Sequence, residues 1–280
     1  MNKPAISFEF FPPQTAEGAE KLIATRQRLA ALKPEFFSVT FGAGGSTQDR
    51  TLDTILQIQR EAYEAAPHLS CVGGTRENIS ALLHTYKNAG IKRIVALRGD
   101  LPSGMASIGE FQYANELVSF IRAETGDHFH IEVAAYPEFH PQAKSARDDI
   151  LNFKRKIDAG GDSAITQYFY NADGYFRFVE ECQKLGITAP IVPGIMPIMR
   201  YSQLARFSDT CGAEIPRWMR KTMEGYADDV ESVQAFGRDV VTQLCEKLIA
   251  GGVPGLHFYT LNQANASIEI LQRLGYDSSQ

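Results

Sequence analysis

The feature that most constrains the fold of this chain is a regular alternation of short strand-like segments and longer helix-like segments. Runs of β-branched and aromatic residues predict strands, and apolar residues at a 3.6-residue spacing predict helices. Eight strands are predicted in this way, over residues 6–11, 36–41, 68–72, 93–97, 130–135, 163–169, 191–195 and 255–259. A helical stretch follows each strand, and the second of these is predicted from Gln48 to about Ala65.

Four of the predicted helices are followed by a glycine, at Gly90, Gly160, Gly186 and Gly251. Glycine takes the left-handed conformation that closes a helix, and the next strand begins within a few residues, so these are helix-to-strand turns. Alternating units of this kind predict a parallel sheet with right-handed crossovers. Eight of them in 280 residues predict an α/β fold, a (β/α)8 TIM barrel in which residues 1–280 form a single catalytic domain.

An open, doubly wound sheet is the alternative architecture, and a glycine-rich nucleotide loop after the first strand would favour it. The only comparable loop, at residues 42–47, follows the second strand and lacks the third glycine of that pattern. A phosphate-binding Walker A sequence is absent as well. The sequence therefore favours the barrel.

Composition excludes several other classes of protein. Hydrophobic residues make up 44% and charged residues 22%, as in globular domains, and a net charge of −5 gives no footprint for nucleic acid. No apolar run reaches the roughly 18 residues of a membrane helix, and no signal peptide is visible. Four cysteines without a C-x-x-C pair, and no metal-ligand pattern, predict free thiols and no metal. We therefore expect a cytoplasmic protein without membrane or nucleic-acid partners.

Function in such barrels collects at the carboxyl ends of the strands, so the polar residues there are the candidate site. Glu9 lies in the first strand between Phe8 and Phe10. Burial disfavours an ionised carboxylate, so we expect a raised pKa for Glu9, which suits a general acid. The alternative is a carboxylate that faces the polar barrel mouth or pairs with an arginine.

Three further strands carry polar candidates. Arg98, Gly99 and Asp100 follow the fourth strand together, and glycine lets backbone approach a ligand closely, although a structural Arg–Asp pair is the alternative. Gln167, in the sixth strand, offers a donor and an acceptor that suit a heterocyclic edge. His68, in the third strand, is a further candidate, although a lone histidine is more often a hydrogen-bonded core residue than a catalyst.

The helix after the fifth strand carries a polar face. Asp149, Asn152 and Lys156 are spaced at i, i+3 and i+7, so all three lie on one side of the helix. Basic residues at this rim, including His140 and Arg155, would suit a diphosphate. The alternative is an amphipathic helix with a solvated charged face.

Six motifs in this order resemble methylenetetrahydrofolate reductase of the bacterial type. They are SFEFFPP at 7–13, SVTFGA at 38–43, RGDLP at 98–102, AYPE at 135–138, ITQ at 165–167 and HFYTLN at 257–262. The resemblance, from about residue 5 to about residue 275, implies a barrel that binds FAD non-covalently. It implies ping-pong reduction of 5,10-methylenetetrahydrofolate to 5-methyltetrahydrofolate with NADH or NADPH, in one-carbon metabolism and methionine biosynthesis. Bacterial relatives also suggest a homo-oligomer such as a tetramer.

The resemblance implies roles for individual residues. Glu9 matches the acid that protonates the folate N10, and Asp100 matches an aspartate that holds the pterin near the flavin. The substrate-binding positions are Glu9, Asp100, Gln167, Gln203, Phe207 and Gln263. The FAD-binding positions are Thr40, Phe41, Ala43, His68, Arg98, Gly99, Asp100, Tyr113, Ala114, Tyr136, His140, Ala143, Asp149, Asn152, Arg155 and Lys156. Gln263 stands where the family often has arginine, and Phe41 where tyrosine is common, so a positive charge and a hydroxyl group are missing.

Two other functions remain open at this point. A barrel aldolase or lyase would need a Schiff-base lysine at a strand end, whereas Lys33, Lys92 and Lys154 lie at predicted strand starts or on helices. A non-catalytic flavin- or folate-binding subunit of another reductase would not need Glu9, so the presence of Glu9 disfavours that hypothesis.

Overall fold

The computed structural model describes residues 3–41, 45–72, 74–99 and 109–277, with backbone only for residues 45–48. The strands are β1 Ala5–Phe10, β2 Phe36–Val39, β3 Ala65–Ser70, β4 Arg93–Leu97, β5 His130–Ala135, β6 Ser163–Thr166, β7 Ile191–Val192, β8 Gly194–Ile195 and β9 Gly255–Tyr259. The helices are α1 Ala16–Ala30, α2 Gly45–Arg60, α3 Arg76–Asn88, α4 Ala114–Thr125, α5 Ala146–Asp158, α6 Ala172–Lys184, α7 Tyr201–Cys211, α8 Arg217–Gly225, α9 Val230–Ala250 and α10 Asn265–Arg273.

The strands form one parallel sheet that closes into a barrel. Consecutive strands pair from β1 to β7, and β9 pairs with β1 on one side and with β8 on the other. Pro193 separates β7 from β8 because proline has no N–H for the ladder. Its carbonyl nevertheless accepts a hydrogen bond from the His257 N–H at 3.0 Å. Since β7 and β8 are the two halves of the predicted seventh strand, the predicted single-domain (β/α)8 barrel is confirmed.

Several predicted boundaries are wrong. The second helix ends at Arg60, and residues Ala65–Ser70 form β3 with every residue buried, so the third strand begins earlier than predicted. The alanines and proline that open this strand have low β-propensity, and burial on both faces of a parallel sheet overrides that preference. The sixth strand ends at Thr166, which leaves Gln167 in the loop at the carboxyl edge.

The predicted glycine caps are confirmed at three helices, where Gly90, Gly160 and Gly186 have φ of +79°, +117° and +78°. After α9 the left-handed residue is Gly252, with φ of +80°, and the prediction of Gly251 is wrong. Gly251 is needed for a different reason, because a Cβ there would lie 2.1 Å from the Phe176 ring.

Strand side chains alternate between two apolar layers. Phe8 and Phe37 belong to the large core between the sheet and the helices, while Phe36, Val95 and Ile165 pack in the barrel interior. The four cysteines are free thiols, as predicted. In the described part of the chain, no helix combines the length and the apolar character needed to cross a membrane.

A buried ion pair closes the amino-terminal end of the barrel. Arg93 Nη1 donates to Glu132 Oε1 at 2.5 Å, and the guanidinium lies 4.4 Å from the centre of the Phe36 ring. Ser163 Oγ donates to Glu132 Oε2 at 2.5 Å. Burial raises the pKa of Glu132, but hydrogen bonds from His130 and Ser163 and the charge of Arg93 outweigh it, so the pKa is lowered overall.

We expect Glu132→Gln to lower the free energy of unfolding by about 3 kcal/mol, because it leaves Arg93 without its buried anion. The folded pKa of Glu132 lies below the ordinary value of 4.5, so its contribution is complete above that pH and is lost as the pH falls through the folded pKa. Urea unfolding at several pH values should therefore show a flatter acid limb in the variant.

Glu35→Gln is the matched control, because Glu35 contacts the same arginine from a side chain that is 48% exposed. It should cost less than about 1 kcal/mol. Equal losses in the two variants would contradict the assignment of Glu132 as the main anion of this cluster.

Candidate functional site

A cavity of about 470 Å³, here called the first cavity, opens at the carboxyl end of the barrel. Its floor comes from barrel-interior side chains such as Val95 and Ile165, and part of its wall comes from α7. Several of the predicted site residues line it: Glu9, Thr40, Phe41, His68, Gly99, Tyr136, Gln167 and Phe207. The structure therefore brings the predicted acid and the predicted substrate contacts Gln167 and Phe207 into one space.

A second cavity of about 270 Å³ adjoins the first. Leu97, Gly99, Ala134 and Tyr136 line both cavities, so the two form a continuous site. The second cavity is lined by ten of the predicted FAD-binding residues: Arg98, Gly99, Tyr113, Ala114, Tyr136, His140, Ala143, Asp149, Asn152 and Lys156. The predictions for Ala43 and Asp100 fall outside the described residues.

Three predicted residues line neither cavity. Arg155 turns to its neighbour on α5, where its Nη1 donates to Asn152 Oδ1 at 2.5 Å. Gln203 is partly buried one turn before Phe207 on α7. Gln263 is exposed in the loop after β9. These three residues lie beside the site and not in its walls.

Glu9 lies between two histidines at the floor of the first cavity. Its Oε2 is 3.2 Å from His68 Nε2 and 3.6 Å from His257 Nε2. Neither nitrogen is aligned with a hydrogen-bond partner in the described part of the chain, so these contacts are charge pairs at close range. Alternation along β1 places Ser7 on the same face, and its Oγ lies 2.7 Å from His257 Nδ1.

The prediction of a raised pKa for Glu9 is wrong. Burial does raise the pKa, but the charges of His68 and His257 and their close contacts with the carboxylate outweigh it and lower the pKa to about 2. The flanking aromatic rings of Phe8 and Phe10 belong to the core outside the sheet. The carboxylate therefore meets polar residues from β3 and β9 instead of its sequence neighbours.

The second cavity contains a half-buried lysine, Lys156. Lys156 Nζ donates to the Ala134 carbonyl at 2.5 Å, and burial lowers the pKa of this lysine to about 8, with partial compensation by Asp149. Asp149 Oδ2 accepts the His140 N–H at 2.9 Å, and burial raises the pKa of Asp149. Basic and hydrogen-bonding groups thus line a space that can hold an anionic ligand.

Gly99 is required where the two cavities meet. Its φ is +78°, and a Cβ at this position would lie 2.1 Å from Ser70 Oγ. Glycine adopts this left-handed backbone without strain, and a larger residue would have to displace the Ser70 side chain; the predicted close approach of this backbone to a ligand stays a prediction.

The chain matches the family model for methylenetetrahydrofolate reductase over residues 1–275. It belongs to the methylenetetrahydrofolate reductase family. It is 44% identical to the 5,10-methylenetetrahydrofolate reductase of Escherichia coli strain K12 over 271 residues, which cover 96% of this chain and 90% of that protein. It is 41% identical to methylenetetrahydrofolate reductase (NADH) 1 of Arabidopsis thaliana, over 97% of this chain and 48% of the longer plant protein.

A solved structure supports the fold. An uncharacterized protein from Clostridium thermocellum that binds two copies of 5-methyl-5,6,7,8-tetrahydrofolic acid aligns with a TM-score of 0.63. The alignment covers 98% of this chain and 96% of that chain, at 18% sequence identity. The resemblance given by the six motifs is thus confirmed, and the chain is an oxidoreductase of one-carbon metabolism.

Some residues of the site were not predicted from the sequence. His257 stands in the HFYTLN motif, and its pairing with Ser7 across β1 and β9 could have placed it beside Glu9. Thr210 and Cys211 also line the first cavity. They follow Phe207 at i+3 and i+4 on α7, so a helical face that includes Phe207 would have indicated them.

We expect His68→Gln to raise the pKa of Glu9 by at least about one pH unit, because burial stays while the opposing charge is removed. His257→Gln should act in the same direction and less strongly, since its nitrogen is farther from Oε2. The measurement is the titration midpoint of the Glu9 carboxyl signal, from carbon-13 NMR of labelled glutamate over a pH range that extends down to about 2. His84→Gln, at an exposed position on α3, is the control, and an unchanged Glu9 signal in both test variants contradicts the charge-pair interpretation.

Proposed function

We propose that this protein reduces 5,10-methylenetetrahydrofolate to 5-methyltetrahydrofolate with NADH or NADPH, through non-covalently bound FAD and in a ping-pong sequence. The observation that carries the proposal is the buried carboxylate of Glu9, which lies at the floor of a cavity joined to a second, basic cavity. The names of the Escherichia coli and Arabidopsis relatives support the folate substrate and, for the plant protein, NADH.

The residues that line the two cavities are chemically suited to bind an FAD molecule. The first cavity has mainly apolar walls that suit a flavin ring, and the second holds Arg98 and the half-buried Lys156, which suit a diphosphate. An anion beside Lys156 would compensate its charge, for which Asp149 is a nearby carboxylate among the described residues. When bound, FAD would accept a hydride from the nicotinamide and pass it to the folate.

The chemistry of the substrate requires a proton at the folate N10, so that the N10–CH2 bond can break and leave an iminium at N5. Glu9 is placed for this step, but with a pKa of about 2 it is ionised at neutral pH. We propose that Glu9 Oε2, which lies beside His68 and His257, is on the path by which the proton reaches N10. The contact of Ser7 Oγ with His257 Nδ1 leaves Nε2 facing Glu9.

Residues of the first cavity would hold the folate. Gln167 offers both a donor and an acceptor to the pterin edge, and Phe207 offers an aromatic face. Asp100, Gln203 and Gln263 are proposed with them on the family resemblance alone. The neutral Gln263 would attract the glutamate tail of the folate less strongly than arginine does.

The setting of this activity is also a proposal. We propose that the barrel acts as one catalytic domain, in the cytoplasm, as a homo-oligomer such as a tetramer, and that its product supplies methionine biosynthesis. Among the described residues no lysine lines the first cavity, which disfavours a Schiff-base lyase.

Glu9→Gln should separate the two half-reactions in an anaerobic absorbance experiment. NADH should still bleach the flavin within about twofold of the normal rate, whereas return of the colour with methylenetetrahydrofolate should slow by about 10²-fold or more, since the proton donor is lost. Glu77→Gln, at an exposed position on α3, is the control. If the folate step proceeds at the normal rate in the Glu9 variant, Glu9 is not on the proton path.

Lys156→Met should raise the Kd for FAD by about tenfold or more, because a buried charge-assisted contact to the diphosphate is lost. Asp149→Asn should weaken FAD binding as well, through the hydrogen bond that Asp149 accepts from His140. Flavin fluorescence during dialysis or titration measures both effects. Lys154→Met is the control on the same helix, where Lys154 pairs with Asp158; equal FAD affinity in all variants contradicts the placement.

A further inference from the structure

A turn after β9, formed by Thr260, Leu261 and Asn262, holds the end of β1. The Asn262 side chain makes two hydrogen bonds with one residue of that strand end. Its Oδ1 accepts the Phe11 N–H at 2.8 Å, and its Nδ2 donates to the Phe11 carbonyl at 2.9 Å. β1 itself ends at Phe10, so the Asn262 amide continues the pairing one residue beyond the ladder.

The same turn also holds the backbone of Glu9. Thr260 Oγ1 donates to the Glu9 carbonyl at 2.6 Å, and the Thr260 N–H donates to it at 3.3 Å. The Asn262 N–H in turn donates to Thr260 Oγ1 at 3.1 Å. On the opposite side, the Thr40 N–H donates to the Phe10 carbonyl at 2.9 Å. The segment from Glu9 to Phe11 is therefore fixed from both neighbouring loops.

The backbone of this turn is strained. Leu261 and Asn262 are consecutive residues with φ of +51° and +58°, a region that asparagine tolerates and leucine rarely adopts. Such a conformation persists only where the surroundings determine it, and it is frequent at functional sites. Leu261 and Phe11 both line the first cavity, so the strained turn and the strand end it holds form part of the rim.

We propose that Asn262 is a positioning residue for the folate step, one that holds the end of β1 so that the Glu9 carboxylate meets both histidines. The inference rests on the proposed function. The carboxylate must reach His68 and His257, which lie on two different strands, so a small rotation of the strand end would break one contact. Asn262 touches neither the carboxylate nor the histidines, and it acts through the backbone of Phe11.

Asn262→Gly tests this most directly, because glycine accepts the left-handed backbone and removes only the two side-chain hydrogen bonds. We expect kcat for methylenetetrahydrofolate reduction to fall by about 10- to 100-fold, as for small misplacements of catalytic groups. The rate of flavin reduction by NADH should stay within about twofold, because that half-reaction takes no proton from Glu9. Ala62→Gly is the matched control, since exposed Ala62 has φ of +63° at the other end of the barrel.

Asn262→Asp provides a second readout that a purely structural role would not give. The carboxylate can still accept the Phe11 N–H, but it can donate to the Phe11 carbonyl only when protonated. The activity of this variant relative to the unchanged protein should therefore rise as the pH falls from about 8 to about 5. If Asn262→Gly does not fold, the pH dependence of the Asn262→Asp activity ratio tests the proposal by itself.

Three results would overturn the inference. They are an unchanged folate step in Asn262→Gly, an equal loss in both half-reactions, or a pH-independent activity ratio in Asn262→Asp. Failure of the proposed function looks different, because the unchanged protein itself would then show no turnover of methylenetetrahydrofolate, and the inference would fall with it.

Discussion

The buried charge of Glu9 is the interaction on which the rest of the site depends. An ionised carboxylate inside a barrel is unfavourable unless opposite charge lies beside it, and here that charge comes from His68 on β3 and His257 on β9. These strands reach Glu9 only because the sheet is closed, with β9 paired to β1. The position of Glu9 at the floor of the cavity therefore depends on the order of the strands and on the closure of the sheet.

Much of the fold could be predicted from the sequence, because alternating strand and helix patterns leave few architectures for a chain of this length. The third strand was placed late, since alanine and proline at its start give no β signal until the sheet buries them. The helix face of Asp149 and Lys156 could be predicted from its i, i+7 spacing and lines the second cavity, while its role in FAD binding stays a prediction. The pKa of Glu9 was predicted in the wrong direction, because its neighbours in sequence point away from the cavity and its neighbours in space come from distant strands.

The two ends of the barrel each hold a carboxylate with a lowered pKa, and they differ in how completely it is satisfied. Glu132 receives hydrogen bonds from Arg93 and Ser163 and lies sealed at the amino-terminal end. Glu9 lies at the open end, near histidine nitrogens without aligned partners in the described chain. The fully bonded group lies away from the cavity, whereas the incompletely bonded group leaves polar atoms of Glu9 and His68 beside the space that a ligand can enter.

The division of the seventh strand at Pro193 leaves a weakly paired junction in the barrel wall, between β7 and β8. β7 and β8 have two residues each, and each pairs with a single neighbour, so closure depends on very few ladder contacts at this point. Separation of β7 from β8 would move β6 away from β9, while the other ladder pairs would remain. The barrel is therefore a sheet whose two edges meet over only a few residues in the described chain. Gln167 follows β6 and His257 lies on β9, so these two residues of the site lie on opposite sides of that junction.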